Sequence, residues 1–138
     1  MSGHHALIVE DELLVALGLQ SMLSELGFVS FAFAGTARQA LEQARLQTPD
    51  LMTVDVGLLD GDGFEAVDAI EAACGPVVAI YVTGDSAASS RRPGAVVLEK
   101  PVAVHTLAAA LSRARAQTER VQAARAVPGR DGASVIEL

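Results

Sequence analysis

The stretch "ALIVEDE", residues 6–12, is the key to the architecture. Its apolar part has strand length and runs into three acids, so it cannot extend to the roughly 18 apolar residues of a membrane helix. A strand this continuously apolar suits a parallel sheet covered on both faces. The pattern recurs downstream in "FVSFAFA" (28–34), "LMTV" (51–54), "VVAIYV" (77–82) and "AVVL" (95–98), which predicts five strands. Helical patterns fill the intervals at 13–26, 36–47, 64–73 and 104 to about 126. Thr36 with Gln39 predicts a capping box, Asp11 or Glu12 a cap for the first helix, and Gly27 and Gly75 the stops of two helices. Strict alternation of strand and helix implies right-handed crossovers and an α/β, doubly wound parallel sheet. In such sheets ligands bind beyond the carboxyl ends of the strands, where the strand order reverses.

Composition narrows the function. A chain of 138 residues is one domain by size, with a core of Ala, Val and Leu because aromatics are only 4%. No apolar run spans a membrane, and the N-terminus lacks the basic start and apolar middle of a secretory signal. The single cysteine, Cys74, cannot form an internal disulfide, which points to a reducing cytoplasm. Residues 1–102 hold 14 acids against 5 bases, and residues 103–138 hold 3 acids against 5 arginines. The acidic body repels nucleic acid and attracts a divalent cation, so no direct DNA binding is expected. His4 and His5 read as a mobile terminus, with metal binding as the other reading.

The strand ends carry the chemistry. The first strand runs into Glu10, Asp11 and Glu12, the third into Asp55, the fourth into Thr83 and the fifth into Lys100, the only lysine of the chain. Taken singly, each reads as a cap, a turn residue or a solvated charge. Taken together, three acids on two strands are unfavourable neighbours unless a cation neutralises them, and hard carboxylate oxygens suit Mg²⁺. An EF-hand reading of "DGDGFEAVDAIE" fails, because its sixth position is Glu65 where glycine is needed.

The pieces "LIVEDE", "PDLMTVDVGLLDGDGFE", "YVTGD" and "VLEKP", in this order over about residues 6–115, resemble the receiver domain of bacterial two-component response regulators. The resemblance implies a flavodoxin-like sheet of order 2-1-3-4-5, an order that comes from the family and not from the spacing of these residues. It implies that Asp55 is the phosphoacceptor and that Thr83 and Lys100 hold phosphoryl oxygens. Mg²⁺ would be bound by Asp11, Asp55 and the carbonyl of Gly57, with Glu10 acting partly through water. The implied partners are a sensor histidine kinase or histidine phosphotransfer protein and a downstream protein target, and the Lys100–Pro101 bond is expected to be cis.

This chain departs from the family pattern in three places. Val97 stands where an aromatic commonly precedes the lysine by three residues. Arg91, Arg92, Pro93 and Gly94 leave room for a fourth helix of two turns at most. Leu59 replaces a frequent proline, and Gly57 and Asp85 occupy positions that influence dephosphorylation. A domain at 1–118 is expected, followed at 119–138 by a helical extension and flexible tail, with no output domain and a possible homodimer through the arginine-rich helix. Two other readings compete. A phosphohydrolase would need a second Asp where Gly57 stands, and a receiver-shaped module could bind its partner without phosphorylation or drain phosphate from a shared kinase.

Overall fold

Period-two alternation sorts the strand side chains onto two faces, and each face meets its own helices. The computed structural model describes residues 4–126. The strands are β1 (His5–Val9), β2 (Ser30–Ala34), β3 (Leu51–Asp55), β4 (Ala79–Thr83) and β5 (Val97–Glu99). With a small separate hairpin left uncounted, they form one parallel sheet of order 2-1-3-4-5, as expected. The helices are α1 (Leu13–Glu25), α2 (Ala37–Leu46), α3 (Gly63–Cys74) and α4 (Val104–Ala126). Leu7, Val9, Met52 and Val54 pack with α2 and α3, while Ala6, Ile8, Leu51 and Ile80 pack with α1 and α4.

Local signals behave largely as the residues dictate. Gly27 and Gly75 take positive φ at the ends of α1 and α3, a region open to glycine without a Cβ clash. Thr36 caps α2 by accepting the N–H of Gln39 at 3.1 Å, but Gln39 reaches back to the N–H of Gly35 rather than that of Thr36. The expected side-chain cap of α1 is absent. Glu12 occupies the cap position without such a bond, because Asp11 and Glu12 face the rim of the sheet. His5 corrects another expectation, being the first residue of β1, buried, with Nδ1 2.7 Å from Ser30 Oγ.

The shortened fourth helix is a single 3₁₀ turn, Ala88–Arg91. Two arginines at the end of this turn reach over α3. Arg91 and Arg92 place their guanidinium carbons 5.2 and 5.1 Å from the centre of the Phe64 ring, and pair with Asp62 and Asp68 of the loop and helix below. Phe64 in turn packs on Tyr81 at 4.5 Å between ring centres. Tyr81 is the register partner of Val97, so an aromatic does stand at this level of the sheet, one strand over. The last helix is long, as expected. Its core stripe of Leu107, Ala110, Leu111 and Ala114 is buried, and residues 119–125 are all exposed. The expected flexible tail lies outside the described residues.

Candidate functional site

β1 and β3 are interior strands of the sheet, and both end at the same rim. Parity places Ile8 with Glu10, Thr53 with Asp55, and Leu98 with Lys100. Backbone pairing carries on past two of the strands, with the Glu10 N–H on the Ala34 carbonyl and the Lys100 N–H on the Thr83 carbonyl, both at 2.8 Å. Rigid backbone therefore aims these side chains. Gly63 makes room for the acid. A Cβ there would lie 2.3 Å from the Asp55 carbonyl oxygen, so only glycine allows α3 to start against the end of β3.

The structure brings the expected residues together. Carboxylate oxygens of Glu10, Asp11 and Asp55 lie within 4.8 Å of one another. Lys100 Nζ is 3.2 Å from Asp55 Oδ2, 3.1 Å from Glu10 Oε1 and 3.6 Å from Glu12 Oε1. The other Asp55 oxygen, Oδ1, accepts the N–H of Gly57 at 3.0 Å. Thr83 is buried at the end of β4, and its hydroxyl accepts the N–H of Asp85 at 3.0 Å, which leaves its own proton to donate. Asp85 turns its carboxylate onto the N–H of Ala87 at 2.9 Å, within its own loop. The Lys100–Pro101 bond is cis, as the resemblance implied.

Electrostatics make the rim asymmetric. Burial pushes the Glu10 carboxyl up to about 7, a rise reinforced by the neighbouring Asp55 and opposed by Lys100 and the Glu12 N–H. Burial alone would lower the Lys100 ammonium, yet the Glu10 and Asp55 carboxylates outweigh it and hold its pKa above the ordinary value. One lysine thus faces three carboxylates, those of Glu10, Asp55 and Glu12.

The donor set fits a divalent cation. Glu10 Oε1 is buried without an aligned hydrogen-bond donor even though Lys100 is near, which leaves its lone pairs available. Three carboxylate oxygens within 4.8 Å of one another could serve one ion, directly or through a water, as Mg²⁺ commonly binds.

Two features escaped the sequence reading. Glu12 joins the carboxylates around Lys100, and Asp60 bonds to the start of α2 from a loop far away in sequence. The run of three acids after β1 signalled the first; no local pattern signals the second. An apolar cleft of about 450 Å³ also borders the rim, walled by Leu13, Phe33 and Leu59, all exposed.

A doubly wound parallel sheet whose carboxyl-end rim carries a cluster of acids and one lysine defines an α/β domain of receiver type. Residues 6–112 match the family model described as the response regulator receiver domain, and the chain belongs to that family. It is 32% identical over 121 residues to the transcriptional regulatory protein PdtaR of Mycobacterium tuberculosis, covering 85% of this chain and 59% of that protein. It is 32% identical over 123 residues to the transcriptional regulatory protein ZraR of Escherichia coli, covering 85% of this chain and 27% of that protein. The chain therefore spans less than two thirds of these curated relatives. Among solved structures, the response regulator PhyR from Brucella abortus superposes with a TM-score of 0.74 at 28% identity, covering 88% of this chain and 51% of that one. A sensor protein from Polaromonas gives 0.72 at 30% identity, covering 83% of this chain and 97% of the other. Among the described residues no helix is long and apolar enough to cross a membrane.

Proposed function

We propose that Asp55 accepts a phosphoryl group from the histidine of a sensor kinase or phosphotransfer protein, in a Mg²⁺-dependent reaction, and that the phosphorylated domain signals by binding another protein. The observation that carries this reading is the placement of Asp55. It is a nearly buried carboxylate at the end of the central strand, within reach of both the acidic pair and the sole lysine. Asp55 attacks phosphorus, an Asp55 O–P bond forms, and the P–N bond to the donor imidazole breaks. Asp11, Asp55 and the Gly57 carbonyl, with Glu10 partly through water, would hold Mg²⁺, which would supply neutralisation of the acceptor and the phosphoryl oxygens. Lys100 transfers its contact from Asp55 to a phosphoryl oxygen, and Thr83 donates its hydroxyl proton to another. Water attack later returns free phosphate.

A protein donor must bring its phosphohistidine to the rim and cover the surface around it. Leu13, Leu14 and Leu17 of α1 stand exposed beside that rim together with Phe33 and Leu59. That apolar border supports a protein partner, and the acidity of the body speaks against DNA as the direct target. PhyR of Bartonella quintana, described as an anti-anti-sigma factor, is a structure of similar fold, and it supports a protein as downstream target here. In this reading the domain ends near residue 118, where α4 outruns the sheet, and it works in the cytoplasm.

Mass spectrometry after incubation with a small phosphodonor and Mg²⁺ tests the reading. One added phosphoryl group is expected on the parent and none on Asp55→Asn. An equal gain in both, or no gain in the parent, overturns it. Partner binding that ignores the phosphoryl group would favour the phosphorylation-independent module.

A further inference from the structure

The loop from Asp55 into α3 is fastened at two points that the phosphoryl chemistry does not use. At the first, exposed Asp60 reaches the start of α2, where Oδ1 accepts the N–H of Ala37 at 2.7 Å and Oδ2 the N–H of Arg38 at 3.1 Å. The first turn of a helix leaves its N–H groups without internal partners, and Thr36 already serves Gln39. Asp60 thus completes a set that the cap alone leaves open, with its charge at the positive end of the helix dipole. The Ala37 and Arg38 N–H groups hold its carboxyl below the ordinary value. At the second point, Asp62 accepts the N–H of Phe64 at 2.7 Å through Oδ1 and pairs with Arg91 through Oδ2. The chain folds here into the hairpin, with Gly57 opposite Asp62 and Leu58 opposite Gly61, so Asp60 lies in its turn and Asp62 on its second strand. Gly57, whose N–H also binds Asp55, rides on that hairpin.

We infer that Asp60 is a positioning residue for the cation site: by binding the start of α2 it holds the hairpin, and with it the Gly57 carbonyl, beside Asp55. The inference rests on the cation reading proposed above. A loop without its anchor must be ordered when the ion binds, and that ordering cost is subtracted from the affinity. Groups that orient metal ligands from behind typically change affinity by about tenfold or more when removed. A helix cap that served only stability would leave affinity alone.

The experiment titrates Mg²⁺ into the unphosphorylated full chain, read by calorimetry and by the amide shift of Gly57, for three variants. Asp60→Ala removes the anchor from the loop side. Ala37→Pro removes one donor from the helix side. Proline is tolerated at the first helical position, and Thr36 already has the extended backbone that must precede it, with φ −136° and ψ 163°. Thr36→Ala strips a cap of comparable strength from the same helix without touching the loop. Asp60→Ala should bind Mg²⁺ about tenfold more weakly. Ala37→Pro should follow by a smaller factor, because the Arg38 N–H remains. Thr36→Ala should bind like the parent although its melting temperature falls.

If Asp60→Ala and Thr36→Ala both lose thermal stability and both keep parental affinity, the inference is overturned. If Asp60→Ala does not fold, Ala37→Pro decides, and parental affinity there overturns it. A parent that binds no Mg²⁺ overturns the cation reading and this inference together, and is thereby distinguished from a failure of the inference alone.

Discussion

Replacing Lys100 with Met removes the ammonium while keeping an unbranched apolar stem, and it leaves Glu10 and Asp55 facing each other. Both acids are buried, at 6% and 8% exposure, and each loses its nearest cation. Removing one partner of a buried ion pair costs about 3–5 kcal/mol, since the other charge is left uncompensated. The rim opens to water on one side, with the lysine side chain 20% exposed, so the low end applies, about 3 kcal/mol. At an unfolding entropy of about 2 cal/mol/K per residue, a domain of roughly 120 ordered residues loses about 4 °C per kcal/mol, hence about 12 °C.

The loss should also depend on pH. Glu10 has a folded pKa raised to about 7 from an ordinary 4.5, so its proton is bound more tightly in the folded state. The protonated form is favoured at low pH, and stability falls as pH rises through 7. Without Lys100 the repulsion between the acids is relieved by protonating Glu10, which is easier at about pH 6 than at about pH 8. Denaturant melts in a chelating buffer at those two pH values measure both effects. A deficit below about 1 kcal/mol at the higher pH, or an equal deficit at both, would refute this account of the rim.

Three further outcomes are expected. Gly63→Ala forces a Cβ against the Asp55 backbone carbonyl, which cannot swing aside as a flexible side chain would, and should cost about 3 kcal/mol in denaturant melts and abolish phosphoryl uptake; parental stability would mean that the loop yields freely. Tyr81 is the only tyrosine and there is no tryptophan, so tyrosinate absorbance reports one residue. Burial pushes that phenol up to about 12, so its contribution is fully present below about 10 and is lost as pH rises through 12; an absorbance midpoint near 10 contradicts the burial. Leu14→Glu, at a position 84% exposed, should leave melting unchanged within about 0.5 kcal/mol, leave uptake from a small phosphodonor unchanged, and slow transfer from a phosphohistidine protein. Equal transfer rates from the protein donor would remove the apolar border from the docking face.

Much of the candidate site could be read in the chain because its residues follow strands. A strand that runs into Glu10 or ends in Asp55 delivers its side chain to the rim whatever the neighbouring strands do, and Lys100 follows the fifth strand in the same way, with the parity of Leu98 and Val82. Asp60 could not be read in this way. Its partners, the N–H groups of Ala37 and Arg38, are backbone atoms more than twenty residues away, and the run "DGDG" looks like an ordinary turn. The arginine pair was expected only as a helix stop, and its packing over Phe64 became visible once α3 and the 3₁₀ turn were brought together.

The alternation of strand and helix, the parallel sheet, the glycine stops at Gly27 and Gly75 and the set of residues that arrive at the rim are all legible in the linear chain. They follow from periodicity and backbone preference, which act over a few neighbouring residues. Which leucines of α1 are core and which are surface is settled only by packing. Leu19 and Leu23 are buried against the sheet, whereas Leu13, Leu14 and Leu17 are exposed. Nothing in "LLVALGLQSML" separates them, because both faces of that helix are apolar. Burial depends on what packs opposite. Only the folded chain supplies that neighbour, and it is also what buries Glu10 beside Asp55 and Lys100 and so raises its pKa.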